Sequence, residues 1–397
     1  MRDYVDGNRL TLLRNGGQYF PALVAAIDAA RAEVFVETYI YADDATGSLI
    51  TEALARAAER GVPTHLLVDG FGAKDFAPHF RQRLAAANAE MLVFRPAVSP
   101  WPFWKQRSRL RRMHRKLASI DGAVAFVGGI NVIDDCDDPA EPAPRYDYAV
   151  QIEGPLAAQV HADAARLWTR VAWANTRRRL HRWPGFSMLS RGASPCVPPA
   201  APAGGQRAAL VVRDSLRHRR DVENAYLRHI DAAQSEVLIA NAYFFPTRRF
   251  RQALLRAARR NVAVTLLLQG KTSHPLLFYA SRALYRSLLG AGVRIHEYYR
   301  SELHAKVAVF DSRYATVGSS NIDPFSLGLA QEANVFADDR AFAADLRLSL
   351  HEAIEKGARP VPANYWRRLD LALKARIWFA YRFARLVLTL YRLEALR

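Results

Sequence analysis

Residues 304–324 read HAKVAVFDSRYATVGSSNIDP, and residues 114–134 read HRKLASIDGAVAFVGGINVID. Both fit His-x-Lys, four residues, Asp, six residues, Gly, two residues and Asn, and all five matched positions lie 190 residues apart. In the second copy His304, Lys306, Ala308 and Phe310 alternate with Ala305, Val307 and Val309, which is strand periodicity. Positions i and i+2 of a strand project from one face, so His and Lys share a side. Asp311-Ser312 predicts a tight turn, as Asp121-Gly122 does in the first copy. A second strand then ends on small residues, Gly318 and Ser319 or Gly128, where backbone can approach a ligand closely. Asn321 and Asn131 lie just beyond. Each copy is expected to be a hairpin presenting an imidazole, an ammonium and a carboxamide at one end.

The repetition extends outward from these hairpins. Ile27-Asp28-Ala29-Ala30 returns as Ile230-Asp231-Ala232-Ala233 at an offset of 203, and Arg56-Ala57-Ala58 as Arg256-Ala257-Ala258 at 200. A shrinking offset is what shorter loops in the second copy would give. The chain is expected to be an α/β protein made by tandem duplication of a βα-rich unit. The first domain is placed at 1–189 and the second at 207–358. A Pro-, Ala- and Gly-rich linker at 190–206 separates them.

Two segments stand outside the repeat. PAVSPWPFWKQRSRLRRM (96–113) sets Trp101, Phe103 and Trp104 before a basic run. Indoles favour headgroup depth and arginine favours phosphate, so this insertion suits a membrane-interface loop. The tail, 359–397, contains KARIWFAYRFARLVLTLYRLEALR, in which Arg376, Arg382, Arg385 and Arg392 interrupt an apolar run too often for a membrane span. An amphipathic helix lying in the interface is expected there.

With 397 residues, half of them hydrophobic, both domains can build a core, and a net charge of +18 calls for an anionic partner. Cys136 and Cys196 form no spacing motif, which argues against a disulfide framework or a cysteine metal site. The first residues lack a signal-peptide core, and no run of 18 apolar residues occurs.

The chemistry follows if the two hairpins meet face to face. Two histidines then flank one phosphodiester, one attacking phosphorus and the other protonating the departing alkoxide. Lys116, Lys306, Asn131 and Asn321 would contact the non-bridging oxygens. The scheme needs no cofactor and no metal. Asp147, 33 residues after His114, and Glu332, 28 after His304, are the candidates to orient the rings. Asp121 and Asp311 complete the motif, but parity puts them on the far side of the strand from His and Lys, where they would fix the hairpin.

The paired motifs resemble the His-Lys-Asp motifs of the phospholipase D superfamily. RRMHRK, YDYAVQIEGP, ANAYFFP (240–246) and NIDPFSLGLAQEANV make the chain similar to the bacterial cardiolipin synthases, in the shorter B type that lacks N-terminal transmembrane helices. The resemblance implies two pseudo-twofold-related α/β/α sandwich domains with mixed central sheets and one active site at their interface. It implies a phosphatidyl group passed from phosphatidylglycerol, through phosphohistidine, to a second phosphatidylglycerol with release of glycerol. It places the nucleophile on His114 and the acid/base on His304; the near-symmetric sequence alone leaves this open. It further implies a peripheral enzyme on the cytoplasmic face of the inner membrane, with an anionic leaflet as its partner and no nucleic acid. A phosphodiesterase of the same fold, hydrolysing phospholipid or nucleic acid, is the alternative. Gly129 stands where the second copy has Ser319, a departure that removes one hydroxyl.

Overall fold

The computed structural model describes residues 4–74, 76–95, 112–136, 143–180, 200–214, 218–271, 275–323 and 330–395. Residues 96–111 of the aromatic-basic insertion and 190–199 of the expected linker lie outside these.

The first half runs β1 (Val5–Arg14), α1 (Asn15–Asp28), β2 (Val34–Thr38), α2 (Ala45–Glu59), β3 (Thr64–Asp69), α3 (Pro78–Ala86) and β4 (Glu90–Phe94), then β5 (Lys116–Ile120), β6 (Val124–Gly128), β7 (Tyr148–Glu153) and α4 (Pro155–Leu180). The second runs β8 (Gln206–Arg213), α5 (Asp221–Ala232), β9 (Glu236–Asn241), α6 (Arg248–Arg259), β10 (Ala263–Gln269), α7 (Pro275–Arg282), α8 (Tyr285–Leu289) and β11 (Arg294–Tyr298). It continues through β12 (Lys306–Phe310), β13 (Tyr314–Gly318), β14 (Glu332–Asp338) and α9 (Arg340–Gly357) to β15 (Ala358–Pro360), α10 (Tyr365–Arg368) and α11 (Leu371–Ala395).

Hydrogen bonding orders the strands β15-β11-β10-β9-β12-β13-β14-β8-β1-β7-β6-β5-β2-β3-β4. Read outward from the central β8·β1 pair, the halves repeat one another as far as β11 and β4, and β15 adds one edge strand to the second half. β2, β3 and β4 run parallel, as do β9, β10 and β11, while the hairpin strands are antiparallel. The parallel strands are short apolar runs such as AVTLLLQ because helices cover them.

Layering explains why the halves do not separate. α1 and α2 cover the outer face of the first half of the sheet, and α5 and α6 that of the second. α4 and α9 share a core that mixes Val127, Val150, Val160 and Ala164 with Val307, Val317, Leu346 and Leu350. Exposing large apolar side chains costs about 1.5–3 kcal/mol each, so this shared core holds the two units as one body.

The chain after residue 358 is not a detached tail. β15 pairs antiparallel with β11, and α11 lies along α7. No helix among the described residues is long and apolar enough to cross a membrane.

Candidate active site

The hairpin turns set the geometry. Asp121 and Gly122 have φ of 56° and 64°, and Asp311 and Ser312 have 51° and 49°, a left-handed pair that turns the chain sharply between the paired strands. Asp121 accepts hydrogen bonds from the backbone N–H groups of Arg31, Ala32 and Glu33, and Asp311 from those of Gln234, Ser235 and Glu236. Each aspartate thus pins the loop before the neighbouring strand. Strand β5 or β12 separates it from its motif histidine, seven positions earlier in the chain, on the order of 20 Å at ~3.3 Å per residue. Although they complete the motif, Asp121 and Asp311 therefore fix the hairpin turns at the far end of the strand from the histidines.

At that end the two halves are laced together. Met113 bridges to Gln331 and Tyr146 to Leu303. His114 N–H donates to Gln331 O at 2.9 Å, and His304 N–H to Tyr146 O at 2.8 Å. The side chains cross in the same way. His114 Nδ1 lies 3.1 Å from Glu332 Oε1, and His304 Nδ1 lies 2.6 Å from Asp147 Oδ2. Proximity in sequence pairs Asp147 with His114 and Glu332 with His304; the structure exchanges them between halves. An ionised carboxylate only accepts, so on His114 Nδ1 carries the proton and Nε2 is left with its lone pair; His304 Nδ1 is shared between Asp147 and Lys306 Nζ, which lies 2.8 Å away.

The cations converge behind the rings. Lys116 Nζ donates to His114 O at 2.8 Å, and Lys306 Nζ to His304 O. Lys306 Nζ is also 3.6 Å from Asp147 Oδ2. Both lysines are buried, at 2 % and 0 % exposure. Burial and the Lys306 charge push Lys116 down to about 7, and burial lowers Lys306. Burial and the neighbouring lysines depress both imidazoles, His304 strongly. Burial raises Asp147 to about 6 despite the nearby Lys306. Cations whose charged forms burial disfavours in this way gain most from an anion bound beside them.

The small residues serve the sheet. A Cβ on Gly128 would fall 2.5 Å from Ala149 Cα, and one on Gly318 2.3 Å from Asn334 Cγ. These glycines admit a neighbouring strand, not a ligand as expected. Ser319 donates to Glu332, so its hydroxyl is spent on the carboxylate that holds His114. A Cβ on Gly129 would lie 2.3 Å from Asp147 Oδ1, so the missing hydroxyl leaves room for the shorter carboxylate of the other pair. Asn131 uses its oxygen to accept from Ile40 N–H at 3.2 Å, and Asn321 is equally buried.

Several site residues have no motif to announce them. The Tyr39 ring packs edge-on to His114 at 4.9 Å, with Lys116 Nζ 5.2 Å from its centroid; burial raises its phenol to about 12, keeping it neutral. The buried Asp69 carboxylate accepts from Met113 N–H at 2.8 Å and so anchors the residue before His114. Arg115, also buried, pairs with Glu37 at 2.8 Å and Asp163 at 2.7 Å, tying the motif strand to β2 and α4.

Two imidazoles, each steered by the opposite half and backed by a buried lysine, can hand a phosphoryl group on and a proton back. Comparison with known proteins fits this arrangement. The family model for "Cardiolipin synthase, PLD-like domain" matches residues 23–168 and 226–353. Cardiolipin synthase B of Shigella flexneri is 38% identical over 384 residues, covering 93% of this chain and 87% of that protein. Cardiolipin synthase A of Pseudomonas putida is 30% identical over 360 residues, covering 90% and 70%. The crystal structure of phosphatidylserine synthase from Haemophilus influenzae Rd KW20 superposes with a TM-score of 0.66 at 12% identity, over 97% of this chain and 94% of that one. At that identity the likeness speaks for the fold alone. The fold, the doubled site and the match to both halves agree: this chain belongs to the cardiolipin synthase family of phospholipase D-like proteins.

Proposed function

We propose that this protein is a cardiolipin synthase acting at the surface of an anionic bilayer. The observation that carries the reading is the crossed His–carboxylate pairing, His114 on Glu332 and His304 on Asp147, with each imidazole depressed by burial and by the motif lysine of the other half as well as its own. His114 Nε2 attacks the phosphorus of phosphatidylglycerol while the bond from phosphorus to the glycerol oxygen breaks. His304, protonated once the anion is bound, gives its proton to that oxygen, and glycerol leaves. The now neutral His304 takes the proton of an incoming hydroxyl from a second phosphatidylglycerol. That oxygen displaces His114 from phosphorus, and cardiolipin is released. Lys116 and Lys306 stabilise the charge gathering on the non-bridging oxygens, and the Nδ2 groups of Asn131 and Asn321 add hydrogen bonds to them.

The net charge of +18 supports residence on an anionic leaflet. We take this to be the cytoplasmic face of the inner membrane. The test is incubation of purified protein with phosphatidylglycerol vesicles followed by lipid mass spectrometry. Cardiolipin and glycerol in equal amounts are expected. Phosphatidic acid as the sole product would make the protein a hydrolase.

A further inference from the structure

The C-terminal helix α11 has two apolar faces and uses one of them on its own body. Ile377, Ala380 and Ala384, spaced by three and four, are buried against the second half. The Tyr381 ring meets Phe245 at 5.9 Å. On the other side Trp378, Phe379, Phe383 and Leu386 are 60%, 64%, 44% and 56% exposed. Steps of one, four and three place these four on a common helical face. Contiguous exposed apolar surface of this kind marks an interaction site.

The charges around the face say what it meets. Arg376, Arg382 and Arg385 are exposed on the same helix, with Arg382 lying 5.4 Å from the Trp378 ring centroid. No acidic residue occurs between Asp370 and Glu394. A protein interface would leave these cations in need of carboxylates, whereas a phospholipid leaflet supplies phosphates at the depth where indole and phenyl rings rest.

The helix is also tied to the site. Its partner Phe245 donates from N–H to Ile322 O at 2.8 Å, and Ile322 N–H donates to Asn241 Oδ1 at 3.1 Å. Ile322 follows Asn321, and Asn241 pairs with Lys306 across β9 and β12. Whatever α11 rests on therefore fixes the position of the residues beside the reacting groups.

We propose that the Trp378–Phe379–Phe383–Leu386 face of α11 seats in the outer few ångströms of an anionic phospholipid leaflet, with its arginines on lipid phosphates, and holds the active site against the membrane surface. The inference rests on the synthase reading and names the surface that this reading leaves unassigned. The tail helix is then a docked element with one face kept for lipid.

The test uses full-length protein and vesicles of phosphatidylglycerol and phosphatidylcholine. The variant W378S/F379S/F383S should lower vesicle partitioning by about tenfold or more, while melting at the wild-type temperature. It should keep wild-type turnover on monomeric short-chain phosphatidylglycerol and lose it on vesicles. R376Q/R382Q/R385Q should weaken binding to phosphatidylglycerol vesicles and leave binding to pure phosphatidylcholine unchanged. Wild-type partitioning by the aromatic variant would overturn the proposal. So would a wild-type oligomer that the variant dissociates without loss of vesicle binding, because the face would then be a subunit interface. Partitioning needs no turnover, so failure of the synthase reading would show separately, in the lipid products.

Discussion

Apart from the edge strand β15 the two halves match in strand order, yet the histidines they deliver are surrounded differently. Around His114 stand the Tyr39 ring, the Asp69 carboxylate that anchors Met113, and the buried Arg115. By the repeat register these positions are Ala242, Gln269 and Ala305 in the second half. His114 leans on a glutamate braced by Ser319, whereas His304 leans on an aspartate that also faces Lys306. Duplication supplies two equivalent places for a ring. The residues outside the motif make the places unequal, and a displacement needing one nucleophile and one acid calls for inequality.

The sharpest way to break the comparison is to remove one ring at a time. His114→Ala and His304→Ala should each lower turnover by about 10³-fold or more, because each role is indispensable. A phosphodiester with a p-nitrophenolate leaving group needs no proton to depart and separates the roles. With it, His304→Ala should accumulate a phosphohistidine visible in the intact-protein mass, and His114→Ala should not. The reverse result would exchange the two roles, and near-wild-type turnover in either variant would end the shared-site mechanism.

The crossing of the carboxylates comes next in size. Glu332→Gln and Asp147→Asn should each cost about 10²-fold in turnover through loss of ring orientation. Double-mutant cycles on thermal stability test which ring each one holds. His114→Gln and Glu332→Gln should couple by about 1 kcal/mol, while His114→Gln and Asp147→Asn add within about 0.5 kcal/mol. Coupling confined within each half would refute the exchange.

The frame was legible because its signals are local. Alternation in 304–310 and the Asp-led turns predict hairpins from a few residues, and β12, β13 and their counterparts β5 and β6 are there. The exchange of Asp147 and Glu332 was not legible, because sequence distance favours a same-half partner, and only the Met113–Gln331 and Tyr146–Leu303 bridges bring the opposite one closer. Gly128 and Gly318 were read toward a ligand because a glycine shows that something approaches, not what; here it is the next strand. Tyr39 had no signal at all, since the repeat puts an alanine in its place. The Arg-studded periodicity of 374–397 marked an amphipathic helix, but whether protein or solvent faces each side depends on tertiary packing.

The smallest effect separates the two lysines. Lys116 is held down to about 7 by burial and by Lys306, with the Tyr39 ring and not a close carboxylate as its neighbour; Lys306 has Asp147 at 3.6 Å. An unfolded lysine keeps its proton up to about 10.4. Between the folded and unfolded values the unfolded state binds more protons, so stability rises with pH across that window, and the cost of the buried charge is fully present below about 7. Lys116→Met removes that cost. It should therefore raise the melting temperature at pH 6, by about 2 °C or more, with the difference from wild type shrinking as the pH approaches 10. Lys306→Met should gain less, because it leaves Asp147 buried without its cation. The same shift governs substrate. A bound phosphodiester favours the charged lysine, so binding takes up protons, and kcat/KM should fall as pH rises above about 7. Calorimetry of short-chain phosphatidylglycerol binding at pH 8, in buffers of different ionisation enthalpy, measures that uptake. Proton release, or a stability gain in Lys116→Met that does not change with pH, would show that Lys116 is already charged in the empty pocket and that the two lysines do not differ.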